Sequence, residues 1–519
     1  MANSSIMILA AMCLYLAVIV GVGIFYAKRA NESTENYFLG GRTLGPWVTA
    51  FSAEASDMSG WLLMGLPGVA YWSGISDAAW TAIGLLVGTY LNWLIVSKRL
   101  RRYSIKAGNA ITLPDFFSNR FKEKSPLILT VSAAFILIFF AVYCASCLVT
   151  CGKLFSTLFG LPYAYMMLAG AVVVLIYTML GGFLAESVSD FIQAIVMIVA
   201  LLTVLIVGTT AAGGIDKVIS NATGIPGFLD FFGIAKPSLG ADELQQTVSG
   251  RPLFLEAGNY GLLTIVSTMA WGLGYFGMPQ VLLRFMAIRK EEELKSSRRI
   301  AVIWCAISLF AAVVIGVIGR ALFPTTHLTA GSAENIFITL SQGLLPTFIA
   351  GIVMSGILAA TMSSSDSYML IAASAFSKNI YERVLNKKAS DKNVMLVSRI
   401  TILAIALFAI IIAWDENSRI FELVSFAWAG FGATFGPLML FSLFWKRTTR
   451  IGGFIGMITG GVMVFVWKLA VRPLGGIVDI YELLPAFLIS CLVIYIVSKL
   501  TPEPAKEIQD EFDAVRVGA

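Results

Sequence analysis

Hydrophobic residues make up 58% of the 519-residue chain and charged residues only 13%, which excludes a soluble globular protein and makes the lipid bilayer its solvent. The formal net charge of +6 comes from Lys and Arg scattered at the ends of apolar stretches, which argues against a nucleic-acid partner. More than ten spans of roughly 20 residues fit in this length and leave no soluble second domain.

Apolar windows predict thirteen spanning helices, near 6–27, 45–70, 76–97, 127–155, 162–180, 189–212, 257–281, 300–323, 345–377, 394–413, 419–445, 451–468 and 480–498. The first has no basic leader and is followed by Lys28 and Arg29, so it is expected as a permanent helix and not a cleaved signal. Segments 28–44, 98–126, 282–299, 378–393 and 446–450 hold most of the basic residues, densest at Lys98, Arg99, Arg101, Arg102 and Lys106. They are expected on the cytoplasmic side, which with an odd number of spans puts the N-terminus outside and the C-terminus in the cytoplasm. Segment 213–256 is expected as an external loop with short surface helices and carries a sequon at Asn221, while the tail 501–519 is expected to be polar and solvated. Cys13, Cys144, Cys147, Cys151, Cys305 and Cys491 all lie in apolar segments and are expected reduced, packing helix faces.

Two spans are interrupted. Span 45–70 carries Asp57, Ser59, Gly60, Gly65, Pro67 and Gly68; span 257–281 carries Gly272, Gly274, Gly277 and Pro279. As the second and seventh helices they are five apart, so 45–212 and 257–445 pair as two five-helix repeats, each opening on a broken helix. Residues 1–44 then supply one helix and a cytoplasmic loop before the repeats, 213–256 the external loop between them, 446–500 two helices after them, and 501–519 a cytoplasmic tail. That arrangement predicts an inverted-repeat transporter with its site near the midplane.

Asp57 lies mid-span, where an unpaired carboxylate is costly, so a bound cation or a group from another helix is expected to offset it. The run Ser363, Ser364, Ser365, Asp366, Ser367 offers hard hydroxyl ligands suited to an alkali cation. Asp190 and Glu54 are ambiguous between ligand, ion pair and solvated charge. Trp61, Tyr143, Trp271 and Tyr275 are candidate walls of a solute pocket, the last two sharing a helix face. The single histidine, His327, falls in an external loop, which argues against a histidine proton relay. No phosphate-binding Gly-rich loop and no nucleophile, base and orienting group come together, so an ion gradient, not ATP or enzymatic chemistry, is expected.

The stretches Ser56-Asp57-Met58-Ser59-Gly60-Trp61 running to Leu66-Pro67-Gly68, Trp271-Gly272-Leu273-Gly274-Tyr275-Phe276-Gly277, and Trp428-Ala429-Gly430-Phe431-Gly432 ending at Gly436-Pro437 closely resemble the sodium:solute symporter family, over about residues 35–500. The resemblance implies an all-α integral membrane protein of about thirteen helices, with a leucine-transporter-type five-plus-five inverted repeat, one helix before it and two after. It implies symport of L-proline with sodium by alternating access. The sodium would be held by the carbonyls of Ala55, Met58 and Ala360 and the hydroxyls of Ser363 and Ser364, with Asp57 acting on it. For the solute it points to Ser59, Gly60, Trp61, Tyr143, Trp271, Tyr275 and Pro279. Asp190 matches an acidic residue that some members use for a second sodium. Another amino acid, a sugar or pantothenate as solute, and a transport-like sensor, are the alternative readings. The expected setting is the cell membrane, in lipid, without an obligate protein partner.

Overall fold

The computed structural model describes residues 2–30, 33–180 and 182–517. Its principal helices, in chain order, are α1 (Ala2–Ala30), α2 (Pro46–Asp57), α3 (Leu66–Ser73), α4 (Ile75–Leu91), α5 (Leu127–Phe159), α6 (Tyr163–Leu180), α7 (Phe183–Ala211), α8 (Leu262–Met269), α9 (Pro279–Ala287), α10 (Leu294–Leu322), α11 (Thr347–Ser374), α12 (Asp391–Ile412), α13 (Ile420–Phe444), α14 (Arg450–Val466), α15 (Leu483–Leu500) and α16 (Lys506–Val517); connecting helices include Ser97–Lys106, Leu113–Arg120, Ile215–Thr223 and Ile336–Leu344. Ten helices among the described residues are long and apolar enough to cross a membrane, and Tyr163–Met179 and Leu262–Phe276 are shorter apolar helices.

Burial sorts them. The apolar windows of α11 and α13 are each 78% buried, against 28% for that of α1, so α11 and α13 form the centre and α1 faces outward. A central helix has no lipid-facing stripe, which is why α11 can carry consecutive small polar residues: each is shielded by α2, α5 or α7.

The two interruptions have separate local causes. α2 ends at Met58, whose amide still bonds the Glu54 carbonyl at 2.8 Å, but the Ser59 amide turns to the Asp57 carbonyl at 3.0 Å. A wide π turn, Trp61–Gly65, then leads into α3. In the second, α8 tightens into a 3-10 stretch, Ala270–Phe276, Met278 is extended, and Pro279 opens α9 because its missing N–H costs nothing at a helix start. A Cβ on Gly272 would lie 2.2 Å from the Gly84 carbonyl oxygen, so only glycine lets this stretch pass against α4.

Two surface expectations differ from what is found. The segment expected as an external loop holds one short helix, Ile215–Thr223, followed by two small antiparallel ribbons, Gly233–Ile234 with Gly258–Asn259 and Thr247–Val248 with Arg251–Pro252. The tail is partly docked: α16 buries Phe512 and Val515, the Phe512 ring lies under the Arg99 and Arg120 guanidinium groups, and Lys122 pairs with Glu507 and Glu511. Spacing of three residues between two apolar side chains gives this otherwise charged segment a face to bury.

Candidate functional site

The break after Asp57 frees a carbonyl. Because the Ser59 amide bonds Asp57, the Ala55 carbonyl accepts instead from two α11 hydroxyls, Ser363 Oγ at 2.8 Å and Ser364 Oγ at 3.3 Å. Ser363 Oγ also reaches the Ala360 carbonyl at 3.3 Å. Ala55, Ala360, Ser363 and Ser364 therefore converge on one point, and Met58 is the residue at which α2 ends beside it. A ring of carbonyl and hydroxyl oxygens without a formal charge suits an alkali cation that must bind and leave.

Asp57, two residues on from Ala55, is buried, and among the described residues no ion pair engages it. Its carboxylate accepts from neutral donors on the other broken helix: Tyr275 Oη at 2.8 Å and Gln280 Nε2 at 3.4 Å. The two interruptions thus meet at Asp57, and the group from another helix expected to offset it is a phenol and an amide, not a cation.

Around this junction stands an aromatic cluster. Trp61 stacks on Trp271, centroids 5.6 Å apart, and Phe421 covers both, at 6.1 Å from Trp61 and 5.3 Å from Trp271. Trp428 Nε1 donates to the Trp271 carbonyl at 2.7 Å and its ring meets Tyr275 edge-on at 5.0 Å. Tyr143 stacks on Tyr368 at 4.2 Å. Gly60 lies against Thr150, the Ser59 hydroxyl accepts from the Trp61 amide at 3.3 Å, and Pro279 opens α9. Trp61 Nε1 is buried and holds no hydrogen bond. Of the residues expected on the solute side, Trp61, Trp271 and Tyr275 share this cluster, Ser59 and Gly60 precede Trp61 in the chain, Tyr143 stacks on Tyr368 instead, and Pro279 opens α9.

Asp190 sits elsewhere. The seventh helix of the list, α7, starts at Phe183, six residues before the expected start, so Glu186 and Asp190 both lie inside it. Asp190 accepts from Ser52 Oγ at 2.7 Å, Ser56 Oγ at 3.1 Å and Arg284 Nη2 at 3.1 Å. Arg284 also pairs with Glu186 and donates to Ser52 Oγ and Ser367 Oγ, each at 2.9 Å. Sequence reasoning placed Arg284 in a cytoplasmic basic segment; α9 continues to Ala287 and buries it completely. The available signal was its position five residues after Pro279, one and a half turns into a half-helix that Pro279 starts.

Above the aromatic cluster lies an open cavity of about 740 Å³, with Trp271, Phe421 and Tyr481 among its lining and Asp77, Glu334, Arg419 and Arg472 around it. Glu334 accepts from the Ile420 and Phe421 amides, both at 3.0 Å, and pairs with Lys153 of α5 at 2.6 Å. Neither Glu334 nor Lys153 was singled out in the sequence.

Residues 37–460 match the model of the sodium:solute symporter family. The chain belongs to that family. Sodium/proline symporters of Staphylococcus aureus strains USA300 / TCH1516 and JH9 are 39% identical to it over 508 residues, covering 97% of this chain and 94% of theirs. The fold is that of a substrate-bound, outward-open sodium-coupled sialic acid symporter, with a TM-score of 0.73 at 18% identity over 96% of this chain and 98% of that one. A nucleobase-cation-symport-1 family transporter, closed with bromovinylhydantoin bound, matches at a TM-score of 0.52 and 11% identity, over 92% of this chain and 98% of that one. The symporter therefore carries the leucine-transporter-type fold expected of it: a multi-pass membrane transporter and not an enzyme.

Proposed function

We propose that the protein takes up L-proline with sodium by alternating access. The observation that carries this reading is the convergence of the Ala55 and Ala360 carbonyls with the Ser363 and Ser364 hydroxyls, beside a buried Asp57 bonded to the second broken helix. Sodium binds there, with the Met58 carbonyl completing the set, and displaces the serine hydroxyls from Ala55 so that their lone pairs face the ion. Proline, a zwitterion with a flat apolar ring, sits against Ser59, Gly60, Trp61, Tyr143, Trp271, Tyr275 and Pro279. The full-length likeness to sodium/proline symporters supports the solute.

Taking each interrupted helix as one span, and α6 with the ten long helices, supports a reading of thirteen spans, which we divide as 1–44, the repeats 45–212 and 257–445 around the loop 213–256, then 446–500 and 501–519. The N-terminus lies outside and the C-terminus in the cytoplasm, because the basic segments alternate with poor ones. The cell membrane is its home, with lipid around it and no obligate protein partner. On this topology the 740 Å³ cavity is the external vestibule.

The driving force is sufficient. One inward sodium at 100 mV supplies about 2.3 kcal/mol, and a tenfold gradient adds about 1.4. Together they support accumulation of a neutral zwitterion by roughly several hundredfold, and the cycle moves net charge.

A second sodium at Asp190 is an accessory reading with its own support. Three buried carboxylates, Glu186, Asp190 and Asp366, face one guanidinium, Arg284, and Asp190 Oδ1 and Asp366 Oδ2 hold no hydrogen bond. A Hill slope near two for sodium supports it; a slope of one removes it.

Uptake of labelled L-proline into liposomes tests the whole reading, with an inward sodium gradient, a potassium gradient as control, and the variants Asp57→Asn and Ser363→Ala. Asn at 57 still accepts from Tyr275, so its effect isolates the charge. Sodium-dependent accumulation in the wild type that falls at least about tenfold in each variant is expected from losing a contact worth 1.4 kcal/mol or more. Wild type that binds sodium yet takes up no proline sinks the solute assignment and turns the search to other amino acids, sugars or pantothenate.

A further inference from the structure

Tyr368 lies on α11 one turn beyond Ser364, whose hydroxyl reaches the Ala55 carbonyl. Its ring is clamped by α5: it stacks on Tyr143 at 4.2 Å with planes 28° apart, and on Phe140 at 5.0 Å and 18°. One residue thus joins the helix that carries the ion hydroxyls to the aromatic wall expected for the solute. The side chain is fully buried, and its hydroxyl has no well-formed hydrogen bond, the Ser364 and Tyr143 hydroxyls being its marginal neighbours.

Buried polar groups in folded proteins usually find partners, and for a hydroxyl packed against the expected solute wall a bound ligand can be that partner. The polarity around the junction sorts a zwitterion. Acceptors, the Asp57 carboxylate and the carbonyls of the broken helix, suit the ammonium; the unbonded buried donors, Trp61 Nε1 and Tyr368 Oη, suit the carboxylate.

We propose that Tyr368 is a solute-contacting residue carried by the ion helix, its hydroxyl donating to the carboxylate of the bound amino acid. Because Ser364 stands one turn away on the same helix, this contact makes solute and sodium each favour the binding of the other. The inference rests on the symport reading above and adds to it a residue that links the two ligands.

The test is equilibrium binding to the purified full-length protein. Tyr368→Phe removes the hydroxyl and keeps both ring contacts. L-proline is compared at saturating sodium with L-prolinamide, which has the same ring and amine but no carboxylate. The preference of the wild type for proline over prolinamide is expected to fall by about tenfold in Tyr368→Phe, the scale of one charge-assisted hydrogen bond. By reciprocity, the gain in sodium affinity on adding proline shrinks as well. Sodium binding without proline stays within about twofold, showing that the ion site and the fold survive. Phe140→Leu, which loosens the stack and leaves the hydroxyl, weakens both solutes alike. An unchanged preference in Tyr368→Phe, an equal loss for both solutes, or loss of sodium binding without proline overturns the role given to Tyr368 and leaves the symport reading standing. Absence of sodium-dependent proline binding in the wild type overturns the symport reading, and the role of Tyr368 with it.

Discussion

Arg284 shows how much one side chain can hold in a medium without water. Its guanidinium is fully buried and bonds Ser52, Ser367, the Gln280 carbonyl, Asp190 and Glu186, so it ties α9 to α2, α7 and α11. Its planar fork presents several donors in fixed directions, which a lysine cannot do. Removing one partner of a buried ion pair leaves the other charge desolvated and uncompensated, at a cost of about 3–5 kcal/mol. Arg284→Gln is therefore expected to destabilise the protein by that amount, and Arg284→Lys, which keeps the charge and loses the fork, by less. Thermal unfolding in detergent measures both; a loss under about 1 kcal/mol for Arg284→Gln would show the carboxylates are neutral or compensated elsewhere.

At the scale of the element, the sequence was most legible where a helix is forced to stop. Glycine and proline clusters mark both interruptions, and these lie where the structure breaks its helices, at Met58–Gly60 and Ala270–Met278. The serine run in an apolar span also stands out in the sequence, and two of its hydroxyls, Ser363 and Ser364, meet the Ala55 carbonyl across from it. Arg284, Glu334 and Lys153 were not legible, for a physical reason: Arg284 and Lys153 sit near predicted helix ends and Glu334 in a connecting segment, where sequence cannot tell a solvated charge from one that a distant helix buries. The partners are far apart in the chain, Lys153 with Glu334 and Arg284 with Glu186, and no periodicity records them. Glycine inside the second interruption has a testable purpose. A Cβ on Gly272 would meet the Gly84 carbonyl at 2.2 Å and the Gly88 Cα at 3.3 Å, all backbone that cannot step aside. Gly272→Ala is expected to cost about 1–3 kcal/mol as overpacking, whereas Gly261→Ala, with nothing within 4 Å of the added carbon, is expected to be silent. Unfolding midpoints of the two variants decide it; equal effects would mean α4 and the 3-10 stretch can separate freely.

Across the whole molecule, the contacts of Glu334 join parts that alternating access must move relative to one another. Its carboxylate caps the first two amides of α13 and pairs with Lys153 on α5, and its backbone packs on Gly68 of α3, where a Cβ would come within 2.8 Å. Phe421, whose amide it holds, lies over Trp61 and Trp271. Glu334 thus fastens the aromatic cover between the 740 Å³ cavity and the junction at Asp57, using a segment outside both broken helices. The latch holds the cover that lies on Trp61 and Trp271 and makes no hydrogen bond to Ala55 or Ser363, so weakening it acts on the covered state more than on the binding groups themselves. In Glu334→Gln the amide oxygen still accepts from one α13 amide, but the Lys153 ammonium loses its partner. A ligand gains from closure only through the difference in free energy between open and closed states, and transport requires that closure while equilibrium binding does not. Glu334→Gln is expected to lower the maximal uptake rate at least about tenfold while leaving proline affinity in sodium within about threefold, a split that needs closure destabilised by roughly 1.4 kcal/mol. Parallel measurements of uptake and of equilibrium binding read that split directly. Loss of binding in proportion to uptake would instead place Glu334 among the groups that hold the solute site together.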